Sequence, residues 1–501
     1  MPLLYTGIDM EKTADWIMRR AGFGFNLTKD PITQKQWVES TRSSLEKPEL
    51  YIKDTRFEEF DQHVNSKLKG EEAQYLKGMV KSANGSIVYR RTYQDRNMKL
   101  RDAGDIKAAN SIWNTYIKTR PLWASSHRRF DFAMNTDHDF LNRLWFFWLN
   151  YFTVADAMVS LPCVPDFQET IRKKMSGSME SLVYSVITHP AMLTYLDNNS
   201  SVGVNSIARK KGWTKDGVNE NLGRELLELY TLKPSFGYTQ DDVNGVANVL
   251  TGWQIQDWDG TYQVVFEPNR HEPMSQKILG ESYSGSGKTG QHKLKRLVRH
   301  LTSYSATGVN VSFRLCQHFI SDSPSPDHVR ELSQIYDKEK GELSKVYVGL
   351  LEILDRLPHE NSKFLNPEIW TYQCFKTLNL KPFKTVSLND RHPYAQNIDA
   401  ILKEIGMLHG LAAQPNGWPE IEAGWISNEY LDRRLRFSSY FSGFVRGYKS
   451  EIIDLLNDNG LNKFQLGRFN LSPDNMHILQ SKVANENIIP ALFCSPEFLR
   501  S

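Results

Sequence analysis

Apolar residues recur at helical spacing through most of the chain, and this feature constrains the fold more than any other. Strand-like alternation is scarce, and the best example covers only residues 262–266. The sequence therefore predicts a mainly α fold: a multi-helical single large body with at most a small β-hairpin or sheet near residues 260–283. The periodic segments are 34–46, 70–82, 98–118, 139–152, 168–188, 219–231, 240–252, 292–301, 308–319, 327–338, 343–355, 365–378, 395–410 and 428–446.

Domain boundaries leave only a weak signal in the sequence. No long linker rich in proline, serine or glycine divides the chain, and the polar, glycine-rich stretch 280–290 is the best candidate for a domain boundary. We expect a main helical region over residues 1–290, which holds the strongest motifs. A C-terminal helical layer over residues 291–501 is predicted to pack on it.

Composition excludes several classes of protein. Lys and Arg total 61 and Asp and Glu total 58 among the 501 residues, a balance that argues against a nucleic-acid partner. The four cysteines lie far apart without a CxxC pair, which argues against a zinc knuckle and a disulfide framework. The most apolar stretch, 144–155, is well short of the roughly 20 residues that cross a bilayer. We expect no transmembrane segment.

The first residues, MPLLYTGIDMEKTADW, do not fit a secretory signal, which needs a basic start and then an apolar run of about 7–15 residues. On this ground alone the expected location is the cytoplasm.

Several ordered motifs run through the chain. The most specific are HPAMLTYLDN at 189–198, ENLGRELLELYTL at 220–232, GYT at 237–239, LTGW at 250–253, HEP at 271–273 and QPNGWP at 414–419. Together they resemble a large bacterial family, domain of unknown function 1800. Further matches run from RRAGFG at 19–24 to SPEF at 495–498, so the resemblance covers nearly the whole chain.

The resemblance implies more about family than about activity, because the family has no settled function. Its members commonly look exported, and they often accompany a second family resembling sulfatases and alkaline phosphatases. The resemblance therefore implies a cell-envelope role with such a companion as a partner. Three positions where the family often carries histidine hold Leu149, Tyr151 and Tyr230 here. If those histidines bind metal in relatives, this chain has lost the site.

The segment 220–232 carries the best candidate for chemistry. Stepping 100° per residue along a helix places its leucines on one side and its polar residues on the other. Asn221, Glu225 and Glu228 then form a narrow stripe, where two carboxylates one turn apart can share a cation or divide acid and base roles. The alternative is a solvated surface ladder in which Arg224 pairs with Glu220 and Glu228.

Other candidates lie in loops. His271 lies in a loop after the strand-like run, and its neighbours in sequence are charged, as is common for a histidine that contacts a ligand. We predict that it acts as an auxiliary acid or base beside Glu225 and Glu228. Asp197 and Asn198 end a short helix, where their oxygens either cap the turn or orient a substrate hydroxyl. Trp418 sits in a rigid Pro/Gly turn that can hold its ring over a cleft.

Two functions remain open at this stage. One is a hydrolase acting on an envelope polymer or glycan through a carboxylate-lined cleft, with Glu225, Glu228 and His271 as catalysts and Asn221, Arg224, Asp197, Asn198 and Trp418 as substrate contacts. The other is a non-catalytic binding or assembly protein that has lost the family's histidine site. No nucleotide, dinucleotide or HExxH signature appears, so any cofactor or metal is left unassigned.

Overall fold

The fold is described from a computed structural model of the 501-residue chain. The residues that the structure describes are 13–27, 29–53, 70, 74–75, 77, 83–115, 120–155, 163–256, 263–285, 289–360, 362–380, 398–408, 410, 412, 414–446, 463–484 and 487–501.

Helices dominate these residues, which confirms the predicted fold class. In chain order they are α1 Asp15–Ala21, α2 Gln34–Glu46, α3 Pro48–Lys53, α4 Ala83–Asp102, α5 Ile106–Ile112, α6 Arg120–Asn135, α7 Asp139–Tyr151, α8 Val164–Lys174, α9 Met179–Ile187, α10 Pro190–Tyr195, α11 Ile207–Lys210, α12 Asn221–Glu225, α13 Gln240–Leu250, α14 Gln291–Ser303, α15 Ser305–Phe319, α16 Pro326–Lys338, α17 Leu343–Asp355, α18 Pro367–Thr377, α19 Ile398–Ile405, α20 Asn428–Arg446, α21 Lys463–Gly467, α22 Pro473–Ser481, α23 Ile488–Phe493 and α24 Pro496–Leu499.

The described strands form two separate antiparallel hairpins. Trp253 of the first hairpin pairs with Phe266, and Gln276 of the second pairs with Tyr283. The predicted small sheet near 260–283 is therefore present, although the first hairpin begins earlier than expected and residue 262 lies outside the described residues. The strands are β1 Trp253–Gln256, β2 Gln263–Phe266, β3 Gln276–Ile278 and β4 Glu281–Tyr283.

Helix α7 lies at the centre of the hydrophobic core. Leu144, Trp145 and Trp148 have no solvent exposure, and Trp145 packs edge-on against Phe132 of α6. A helix that is apolar around most of its circumference is stable only when other elements cover it on all sides. The indole N–H groups of its two tryptophans have hydrogen-bond acceptors. Trp148 Nε1 donates to the Tyr347 hydroxyl at 2.6 Å, and Trp145 Nε1 donates to the Gln168 carbonyl at 2.9 Å.

Buried arginines tie the first described helix to the end of the chain. The guanidinium of Arg19 donates to the carbonyls of Phe469, at 3.2 Å, and Glu497, at 2.5 Å, and also to that of Arg500. Arg468 forms a bidentate ion pair with Asp15 at 2.7 and 2.8 Å. These contacts join residues on both sides of the proposed boundary at residue 290. The division into a main region and a C-terminal layer stays a prediction.

Candidate functional site

The segment that carries Glu225 and Glu228 is held tightly against α13. Leu222, Leu226 and Leu227 are fully buried, and Gly223 packs on the backbone of Ala247. A Cβ atom at position 223 would lie 3.0 Å from the Ala247 nitrogen, so a glycine allows this close approach. The buried side of α12 therefore packs on a rigid support, and this fixes the position of its polar side.

The helix changes type within this segment. Residues Leu226–Tyr230 form a π-helical turn that follows α12 directly. The Thr231 hydroxyl closes the turn by donating to the Leu226 carbonyl at 2.6 Å. Uniform steps of 100° therefore do not describe residues Leu226–Tyr230. Single π turns inside helices occur frequently at functional sites.

The ladder expected from the sequence is present. Arg224 pairs with Glu220 at 2.8 Å and with Glu228 at 3.2 Å, and Gln240 at the start of α13 bonds to both Arg224 and Glu220. Ion pairs of this partly exposed kind stabilise a protein by about 1 kcal/mol or less. Asn221, at the other end of the stripe, is exposed, and its backbone N–H donates to the Asn219 side chain at 2.9 Å.

Glu225 differs from the ladder residues. Its side chain is half-buried, and no hydrogen bond or ion pair to it occurs within the described ranges. Burial, and then repulsion from Glu228, raise the pKa of Glu225 above its usual range. Tyr195 lies close enough for the Glu225 charge to raise its pKa as well, after burial itself. Burial, and then the neighbouring Glu228, raise the pKa of Tyr238.

His271 occupies a different place. It is buried beneath β2, where its ring meets Phe266 edge-on and Nδ1 lies 2.8 Å from the Thr251 carbonyl. Nδ1 therefore carries the proton, and Nε2 is a buried acceptor with no partner among the described residues. Burial lowers the pKa of His271 to about 4.

Among the described residues, His271 makes no contact with Glu225 or Glu228. It contacts Thr251, which follows the last residue of α13, and Phe266. Gln240, which contacts Arg224, is the first residue of the same helix. The grouping of Glu225, Glu228 and His271 in one catalytic cluster stays a prediction.

Asp197 and Asn198 also take separate roles. Asp197 is exposed and adopts a left-handed backbone with φ 54°, as a residue that ends a helix often does. Asn198 is fully buried, and its amide donates to the carbonyl of Leu250 at 3.1 Å. Asn198 thus joins the end of α10 to the end of α13, whereas Asp197 remains open to solvent.

Trp418 lines a cavity of about 50 Å³, together with residues of α7, α8, α15 and α18 and with residues 407, 410, 412 and 420. Its turn is positioned by Asn150, which accepts from the Trp418 backbone N–H at 2.8 Å and donates to its carbonyl at 3.0 Å. Gly417 has φ 80°, and a Cβ there would lie 2.4 Å from the Asn150 carbonyl oxygen. The cavity has room for roughly three or four water molecules or one small polar group.

Two carboxylates line this cavity, and sequence reasoning missed both. Glu420 accepts from His318 Nδ1 at 2.7 Å and from the Asn150 amide at 2.7 Å, and His318 with nearby Lys363 holds the Glu420 pKa at about 2 against the effect of burial. Glu368 is paired with Arg129 through two bonds of 2.6 and 2.8 Å. Both acids are committed to partners, so the cavity is suited to holding a group rather than to proton transfer.

The positions where relatives often carry histidine fall on two sides of α7. Leu149 lines the cavity, whereas the Tyr151 hydroxyl donates to the Tyr230 carbonyl at 3.3 Å, next to the Glu225 segment. Tyr230 is buried, and its hydroxyl contacts the Met192 sulfur at 3.6 Å. Across the residues that can be described, no group of three or more His, Cys, Asp or Glu side chains is arranged to hold a metal ion.

Comparison with known proteins gives one match. A family model described as protein of unknown function (DUF1800) matches residues 17–500, which is nearly the whole chain and confirms the resemblance carried by the motifs. No curated protein and no solved structure matches the chain. Within the described residues, no helix combines the length and apolar character that crossing a membrane requires.

Proposed function

The chain belongs to the DUF1800 family, and from that premise we propose that it is a hydrolase acting on a glycan or related cell-envelope polymer at the Glu225–Glu228 face. The observation that carries this proposal is the contrast between the two acids. Glu228 is paired with Arg224, whereas Glu225 is half-buried beside it without a partner in the described structure.

This contrast suits the division of labour in glycoside hydrolysis. That reaction needs one carboxylic acid to protonate the leaving oxygen and a second carboxylate, which either activates the water that attacks the sugar or forms a covalent glycosyl intermediate that water then hydrolyses. Because burial and Glu228 raise the pKa of Glu225, it holds a proton to higher pH than an exposed glutamate and serves as the acid. Glu228, whose carboxylate is paired with Arg224, serves as the second carboxylate.

The remaining candidates take supporting roles in this proposal. Arg224 positions Glu228, and exposed Asn221 and Asp197 lie on segments next to the acid pair, where they contact the polymer outside the cleaved bond. We assign His271 no part in the proton transfer, because it makes no contact with Glu225 or Glu228 among the described residues and burial lowers its pKa to about 4. Trp418 and Asn198 act elsewhere in the fold.

A second candidate, a non-catalytic binding or assembly protein, has its own supporting observation. Both carboxylates of the Trp418 cavity are paired, and Tyr151 and Tyr230 stand where the family resemblance implies histidines. Such a protein would hold a polymer, or a companion protein resembling sulfatases and alkaline phosphatases, without cleaving it.

We expect Glu225→Gln to reduce polymer cleavage by about 10²-fold or more, because a general acid contributes at least that factor. The assay incubates purified bacterial envelope polysaccharide and peptidoglycan with the protein and detects soluble fragments by mass spectrometry. Glu429→Gln is the control, because it makes the same substitution on a helix in another part of the chain, where Glu429 pairs with Arg433 on an exposed face.

Equal cleavage by wild type and Glu225→Gln would remove this face as the active site. If wild type binds the polymer in sedimentation but releases no fragments, the hydrolase proposal is wrong and the binding protein is supported.

A further inference from the structure

One surface loop holds large apolar side chains in water. Trp213, Val204 and Met274 are 61%, 58% and 57% exposed, more than any other large apolar side chain in the part of the chain that the structure describes. Ile207, between Val204 and Trp213 in sequence, is 46% exposed. We call residues 203–215 the basic loop, and Met274 lies beside it. Grouped exposed apolar residues of this kind mark interaction sites.

The loop is built rigidly rather than left free. The buried carboxylate of Glu272 accepts backbone N–H bonds from Asn205, at 3.0 Å, and from Met274, at 3.1 Å. Gly203 packs so closely that a Cβ would lie 2.6 Å from the Glu272 nitrogen. Buried Lys293 donates to the carbonyls of Glu272 and Met274 at 2.9 and 3.0 Å. The apolar side chains are therefore presented in fixed positions, which lowers the entropy cost of binding a partner.

The charges of the basic loop all have one sign. Its 13 residues include Arg209, Lys210, Lys211 and Lys215 and no Asp or Glu, in a chain whose total charge is nearly balanced. All four cationic residues are exposed, and the Lys211 ammonium lies 5.1 Å from the centre of the Trp213 ring. Asp216, just beyond the loop, pairs with Arg270 at 3.3 Å.

We propose that the basic loop docks on a bilayer surface rich in anionic lipid headgroups, with Trp213, Ile207, Val204 and Met274 entering the headgroup region. Tryptophan beside lysine and arginine is the combination that membrane interfaces favour, because the ring enters the boundary layer while the cations meet phosphate. An acidic protein would satisfy the charges, but four separate apolar side chains with exposed cations between them match a fluid surface better. The proposal does not rest on the hydrolase activity.

The test is flotation of the full chain with lipid vesicles in a density gradient. We expect the wild type to float with vesicles that contain phosphatidylglycerol and to stay unbound with pure phosphatidylcholine, and raising the salt concentration should weaken the binding. Equal binding to both lipids, or no binding to phosphatidylglycerol vesicles, overturns the proposal. An acidic protein as the true partner would give this second result.

Two double variants separate the apolar and ionic parts. Ile207→Ser with Trp213→Ser and, separately, Lys210→Glu with Lys211→Glu should each weaken vesicle binding by about tenfold or more. The control, Leu435→Ser with Lys338→Glu, changes an exposed leucine and an exposed lysine elsewhere and should bind as wild type does. Circular dichroism checks that each variant is folded. Binding by both loop variants at the wild-type level would exclude the basic loop.

Discussion

Replacing Glu368 with glutamine is expected to lower the free energy of unfolding by about 3–5 kcal/mol, measured by urea denaturation at neutral pH. Arg129 Nε and Nη2 bind the two Glu368 oxygens at 2.8 and 2.6 Å, and the two side chains are only 3% and 2% exposed. Tyr372 also donates to this carboxylate at 3.0 Å. Glutamine keeps the shape but leaves the buried guanidinium charge of Arg129 uncompensated.

The matched control is Glu352→Gln. Glu352 pairs with Arg42 at 2.9 Å on the surface, where the same loss should change the free energy of unfolding by about 0.5 kcal/mol or less. Replacing Arg129 and Glu368 together with methionines should recover much of the loss, because no unpaired charge then remains inside. Equal effects of Glu368→Gln and Glu352→Gln would show that the buried pair contributes no more than a surface pair.

Local periodicity explains why much of the fold was predictable. The ends of α2, α17 and α20 agree with the periodic segments to the residue. The capping box before α13, in which Thr239 and Asp242 bond reciprocally, depends on a spacing of three residues. These features depend on residues three or four positions apart, and such neighbours are visible in the sequence.

The candidate site was less predictable because its decisive contacts are either distant or irregular. Arg129 and Glu368 are 239 positions apart, and His318 and Glu420 are 102 apart, so no spacing rule links them. The π turn at Leu226–Tyr230 depends on packing and a Thr231 hydrogen bond rather than on apolar pattern. In the candidate site, the sequence predicted only the ion pairs of Arg224 with Glu220 and Glu228, because these partners are four residues apart on one helix face.

His271 gives the second large effect, on the pH dependence of stability. Burial lowers its pKa from 6.5 to about 4, and Lys293 adds to this effect. Between those pH values the unfolded chain binds a proton here that the folded chain excludes, so the free energy of unfolding falls as pH falls through this window. The contribution reaches roughly 3 kcal/mol at pH 4, because one pKa unit corresponds to about 1.4 kcal/mol.

Replacing His271 with asparagine should remove this contribution while keeping a donor for the Thr251 carbonyl, which Nδ1 now contacts at 2.8 Å. We expect urea denaturation to show a shallower loss of stability for the variant than for the wild type between about pH 6.5 and 4.5. Between about pH 7 and 8 the difference between the two proteins should stay constant, since His271 is then neutral in both states. Parallel stability profiles across the acidic window would mean that the folded protein admits the proton, and that the buried Nε2 reaches a partner or solvent on protonation.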